Sequence, residues 1–307
     1  MGISRTPTSA SPRGPRESMS ARARARRALA LAGVHLRVAA FSPFTWGAVA
    51  SGALYTVLAA VASDADLRMK GLRLSMLEAG FYMANDAYYV TFGLLFCFLL
   101  AASAMFRDGD LETLLVVRSG DRRTLWAGRS LALAGLTCAY LASMAVVWLA
   151  VIVPGHPVTA GWSPAYERAA ALVLADPGGI DPVLRAAADP HLLANYSPLE
   201  LAALCGALYA LVFVTVGILA AVLAQTVRRR APAILLTFGY GFAYVVLAAI
   251  GLKPWTVLTP QGHLLLAAHT PGVAAHVSYP VSFAAWGATL ALALWWGRNR
   301  TLRAVLG

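Results

Sequence analysis

The chain has 307 residues, 59% hydrophobic and only 13% charged, with a mean hydropathy of +0.65. A soluble domain carries about 25% charged residues, so the composition points to lipid as the solvent and sets a soluble domain aside. The net charge of +11 is not read as a nucleic-acid footprint, because its distribution fits a positive-inside bias and attraction to anionic headgroups.

Residues 1–20, rich in Ser, Pro, Arg and Gly, predict a disordered basic arm. Residues 21–43, ARARARRALALAGVHLRVAAFSP, predict an amphipathic helix on the cytoplasmic interface, with Arg22, Arg24, Arg26, Arg27 and Arg37 meeting lipid phosphates. Arg26-Arg27 is not read as an export signal, since the apolar stretch after it is short and is broken by His35 and Arg37. Ser42-Pro43 ends the helix, because the residue before proline avoids the α region. Trp46 follows as an interfacial anchor.

Residues 44–297 hold six apolar runs: 44–62, 87–105, 131–153, 199–224, 231–252 and 281–296. A membrane helix needs about 20 apolar residues. Charge is absent from the middle of every run, with Asp86 and Glu200 at the edges. Backbone groups in hydrocarbon must be bonded internally, so each run predicts a helix. The runs are continuous, whereas barrel strands alternate. Gly47 with Ser51, and Ala48 with Gly52, are small pairs suited to helix packing. Cys97, Cys138 and Cys205 fall inside the runs and are read as small buried hydrophobes, with no disulfide framework or metal cluster. Most of the 25 Lys and Arg fall on the arm, the segment after the second run, Arg228–Arg230 and the tail 298–307. That bias predicts a multi-pass protein of the inner (plasma) membrane with both termini cytoplasmic.

The segment 106–130, between the second and third runs, is densely charged. Leu111, Leu114 and Leu115 follow i, i+3, i+4 spacing, a one-sided apolar stripe. Asp108 and Asp110 precede it, where acids favour a helix N-terminus. Ser119-Gly120 breaks the helix and Asp121 opens the next. A helix this short is unstable alone and needs a groove to lie in.

With Asp108, Gly109, Leu111, Glu112, Leu114, Leu115, Arg122 or Arg123, Gly128 and Arg129 in this order, the segment resembles the cytoplasmic coupling helix of ABC-2 type transporter permeases. Asp110 stands where that family has threonine, and Arg118-Ser119-Gly120 replaces its proline-containing turn. The resemblance covers about residues 21–300 and implies a six-helix permease with a basic interfacial helix. It further implies a second permease protomer, identical or not, and two ATP-binding cassette subunits. The complex would export a hydrophobic or amphipathic cargo such as a drug, lipid or peptide. Leu111, Leu114 and Leu115 would fill the ATPase groove, while Asp108, Asp110, Glu112, Arg118, Arg122 and Arg123 set its orientation and register.

No G-x-x-x-x-G-K-[ST] phosphate loop occurs, and the only lysines are Lys70 and Lys253. ATP and magnesium are therefore assigned to the partner subunit, and the chain is not expected to be an enzyme or to carry a cofactor. The outer loop 154–198 predicts two short helices separated by Pro-Gly-Gly, a cap for the exit or a contact with the other protomer. His156, His191, His263, His269 and His276 fall on the outer side at spacings unlike a metal-ligand motif. In the fifth run, TFGYGFAYVV places Tyr240 and Tyr244 at i, i+4. They line a substrate path, or they bond across a bundle packed through small residues. The competing classes are an ATP-independent carrier, which normally buries ionisable groups, a membrane scaffold, and, third, a membrane enzyme.

Overall fold

The computed structural model describes residues 20–106, 122–175, 182–227, 229–269 and 276–303, and every regular element among them is helical. Helix α1, Ala21–Ala40, starts at Ser20, whose hydroxyl accepts from the Ala23 N–H. It buries Ala28, Ala32, His35 and Ala39 on one face and leaves Arg22, Arg24, Arg26, Arg27 and Arg37 exposed. The alanine face lies along α5, Arg122–Ile152, a helix of 31 residues. At the crossing, a Cβ on Gly128 would stand 2.7 Å from Leu31 Cβ and 3.0 Å from the Ala28 carbonyl. Only glycine allows that approach. The indole N–H of Trp46 donates to the Ala40 carbonyl at 2.7 Å and closes the turn into α2.

Helix α2, Pro43–Met69, runs past the predicted end at residue 62. Two pairs at helical spacing support the extra turns, Asp64 with Arg68 at 2.9 Å and Asp66 with Lys70 at 2.6 Å. The buried stripe of α2 holds Ala48, Gly52, Thr56 and Ala60, so the Ala48/Gly52 pair packs, whereas Gly47 and Ser51 are exposed.

The second predicted run belongs to a broken pair of helices, and its first limb was not foreseen. Helix α3, Met76–Ala84, meets the limb Tyr89–Met105 at 91°. Asp86 restarts the chain by accepting from the Tyr88 and Tyr89 N–H groups. The second limb begins as a π-helix, Tyr89–Phe96, before α4, Cys97–Ala102.

The loop 154–198 forms α6, Pro164–Ala175, α7, Pro182–Ala187, and α8, Pro190–Asn195. Glu78, fully buried, ties this loop to α3. Its carboxylate accepts from the Ser75 N–H, closing a capping box, and from both the N–H and hydroxyl of Ser163 at the start of α6, each at 2.6 Å. One side chain thus caps two helix N-termini. Trp162 donates to the Tyr196 carbonyl and Tyr166 to that of Ala187, closing the cap across its own helices.

The chain continues as α9, Pro198–Val227, α10, Arg230–Ala249, a short irregular stretch with α11, Gln261–Leu264, and α12, Tyr279–Arg303. Helix α9 packs between α10 and α12. Among the described residues four helices, α2, α5, α9 and α10, are long and apolar enough to cross a membrane, or five if the bent pair is one span. The run 281–296 lies within α12, whose 25 residues suffice in length, but Trp, Gly and Thr dilute its apolar character. Of the cysteines only Cys97 is buried. Cys205 is partly buried, and Cys138 is exposed, contrary to its expected burial, because it lies on the side of α5 that no other helix covers.

Replacing Glu78 with Ala leaves three buried donors at two helix N-termini without an acceptor. The variant is expected to lose about 3 kcal/mol or more, measured as a lowered melting temperature in detergent. An unchanged midpoint would remove Glu78 from this role.

Candidate functional site

The segment 106–130, expected to couple to an ATPase, sits mostly outside the described residues, and with it Asp108, Asp110, Leu111, Glu112, Leu114, Leu115 and Arg118. What the structure does place is the end of the bundle where that segment joins α5. Arg122 opens the helix and Arg123 follows, exposed in its first turn. One turn on, Trp126 is buried and donates its indole N–H to the Leu294 carbonyl of α12 at 3.1 Å. The indole lies flat against Gly297, with no space for a side chain there. The first turns of α5 are therefore fastened to α1 on one side and to α12 on the other.

Beneath α1 lies a pairing that the sequence did not announce. Arg129 is 4% exposed and His35 is 5% exposed. His35 Nε2 has no hydrogen-bond partner. Burial, reinforced by the positive charge of Arg129, pushes the His35 imidazole down to about 4. A second positive charge buried near Arg129 is disfavoured, so the ring stays neutral. The sequence placed Arg129 at the end of the charged cytoplasmic segment 106–130 and made no prediction of its burial. The only signal for its burial was the spacing of Ala28, Ala32, His35 and Ala39 on one face of α1.

The interior holds a network of neutral polar groups around the π-helix. Thr56 and Tyr89 share a hydrogen bond at 3.1 Å, and Tyr140 donates to the Gly93 carbonyl at 2.9 Å. Gln261 reaches Thr91 at 3.2 Å, and Asn85 accepts from the Ala267 N–H at 3.1 Å. The last two bonds connect the broken pair to the irregular stretch after α10. π-Helical turns and helix breaks often mark functional sites. These groups are hydroxyls and amides, suited to hydrogen bonding and to filling helix breaks rather than to proton transfer.

Tyr240 and Tyr244 do not act as a pair. Tyr240 donates to the Leu258 carbonyl at 2.6 Å, tying α10 to the stretch that follows it. Tyr244 packs against the hydrophobic core. A close approach of α10 to the π-helical limb falls between them in sequence, at Gly241 against Leu95. Phe238 and Phe242 frame it with ring contacts to Phe92 at 5.7 and 5.8 Å.

Of the five histidines after residue 150, His156, His263 and His269 are buried in packing, while His191 and His276 are exposed. His263 contacts Ser282 and the Val257 carbonyl at 2.8 and 2.7 Å, and His269 stacks on Tyr279. His156 donates to the Leu74 carbonyl and lies 3.1 Å from Asp64. Among the described residues no three His, Cys, Asp or Glu side chains gather as a metal site.

No family model, curated protein or solved structure matches the chain.

The His35 contact makes stability depend on pH. The unfolded chain takes up a proton near 6.5, whereas the folded chain refuses it until about 4. The contribution is thus intact above 6.5 and is lost as pH falls toward 4, by about 3 kcal/mol at most. Melting midpoints at pH 7.5 and 4.5 test this. A His35→Phe variant is expected to lose less stability on acidification than the native chain, and equal losses would exclude His35 as the cause.

Proposed function

We propose that the chain is the membrane-spanning permease subunit of an ABC-2 type exporter, six-helical, with both termini on the cytoplasmic side of the inner (plasma) membrane. It pairs with a second permease protomer and with two ATP-binding cassette subunits, which hold ATP and magnesium. Its cargo is hydrophobic or amphipathic. The observation that carries this reading is the order of residues in 106–130, an acidic start, a leucine stripe and a basic end, placed between the second and third apolar runs.

The packing around α5 supports it mechanically. The segment leads into an unbroken helix of 31 residues, about 45 Å long. The first turns of that helix hold α1 through Gly128 and α12 through Trp126. Further along, Tyr140 reaches the π-helical limb. A push on the docked segment, delivered when the ATPase closes on nucleotide, therefore moves three neighbouring elements together. An isolated mobile loop would dissipate the same push.

The test is co-expression with the ATP-binding subunit, purification through a tag on this chain, and measurement of the bound partner and its ATPase activity. The native chain is expected to carry an active ATPase. A variant with L114D and L115D together is expected to lose it or to leave it uncoupled, because two carboxylates cannot enter an apolar groove. If no ATPase accompanies the native chain, or the variant behaves identically, the permease reading fails and the carrier or scaffold reading replaces it.

A further inference from the structure

At the end of the bundle where α1 and α5 begin and α12 ends, the three helices enclose an open cavity of about 720 Å³. Arg24 of α1, Arg123 of α5 and Arg298 of α12 all line it, one guanidinium from each helix. Among the described residues, none that lines it is acidic. The inner wall is Trp126, whose indole is already held by α12. Trp295 and Leu131 form the side that opens outward, at 64% and 46% exposure. One helical turn further from the chain end, Leu292 continues that apolar face at 65% exposure.

The chemistry of this cup is specific. Guanidinium groups bind phosphate oxygens in a bidentate fork and keep their charge at any working pH. Three of them converge on a space within the range of about 300–1,000 Å³ typical of small-molecule sites, far larger than a bare inorganic anion requires. Among the described lining residues there is no carboxylate to pair with the ammonium of a zwitterionic headgroup. The apolar strip of Leu131, Leu292 and Trp295 begins at the cup and runs toward the apolar middle of the helices, which suits a ligand with a charged head and a hydrocarbon tail. We propose that this cavity binds the phosphate headgroup of an anionic phospholipid, whose acyl chains lie along that strip. The bound lipid fastens α1 and α12 to the first turns of α5. The proposal needs only a chain embedded in a membrane and does not depend on the permease reading.

The test uses the full chain in nanodiscs of phosphatidylcholine with a minor fraction of phosphatidylglycerol, followed by native mass spectrometry of the lipids retained on release. Selective retention of phosphatidylglycerol is expected. Each arginine contributes about a fivefold factor, so R24Q alone lowers affinity about fivefold, and R24Q, R123Q and R298Q together lower it about 100-fold. In phosphatidylcholine discs without phosphatidylglycerol, R24Q should keep the native melting profile, because the Arg24 side chain is exposed. The control removes as many charges from α1 outside the cavity, with R22Q, R26Q and R27Q, and should retain the lipid. Inorganic phosphate at matched concentration should not displace it. The proposal is overturned by equal retention of phosphatidylcholine, by equal loss in the control triple, or by displacement with phosphate alone. Those outcomes indicate, respectively, non-selective solvation, diffuse attraction to a basic helix, and an anion cup with no role for the tail.

Discussion

Close backbone approach along α5 is the constraint on which the rest of the bundle depends. In lipid no hydrophobic force drives one helix onto another, so association rests on packing and on hydrogen bonds. Helix α5 meets each neighbour by setting a small residue against a large one. Gly128 admits Leu31 of α1, Trp126 lies on Gly297 of α12, and Tyr140 fits over Gly52 of α2 while donating to Gly93 of the π-helical limb. Toward its other end, Trp148 lies against Gly80 of α3. A side chain at any of these glycines forces two helices apart, and the loss is felt at contacts further along the same helix.

Glu78, Asn85, Asp86 and His156 obey a complementary rule. They sit at the ends of apolar helices or in breaks between them, where they satisfy backbone groups that a helix end leaves open. Glu78 caps two helices at once. Asp86 restarts the chain after a 91° break, and Asn85 holds the stretch after α10 against it. His156 docks the loop 154–198 on the charged end of α2. Glu78 and His156 thereby hold the helices of the 154–198 loop on the bundle.

At the opposite end of the bundle, residues from distant parts of the chain acquire a shared chemistry. His35 and Arg129 are far apart in sequence, yet both are buried and the charge of one bears on the protonation of the other. Arg24, Arg123 and Arg298 come from near the beginning, the middle and near the end of the chain and line one cavity. Read along the chain, each is one more basic residue on a positive side. Once packed, they form a site with a size, a charge and an apolar strip, placed beside the point where the charged central segment enters α5.

The sequence by itself determined what depends on near neighbours. Apolar length and the absence of internal charge were enough for the helical character, for most of the long helices and for the exposed arginine face of α1. The order of acids, leucines and arginines in 106–130 was enough to single out that segment. Tertiary structure decided what depends on contacts between distant residues. It selected Ala48/Gly52 over Gly47/Ser51 as the packing pair, separated the roles of Tyr240 and Tyr244, and buried Arg129 under α1. It also tied α3 to α6, because Glu78 finds its second partner 85 residues later at Ser163, and no local pattern encodes a partner at that distance.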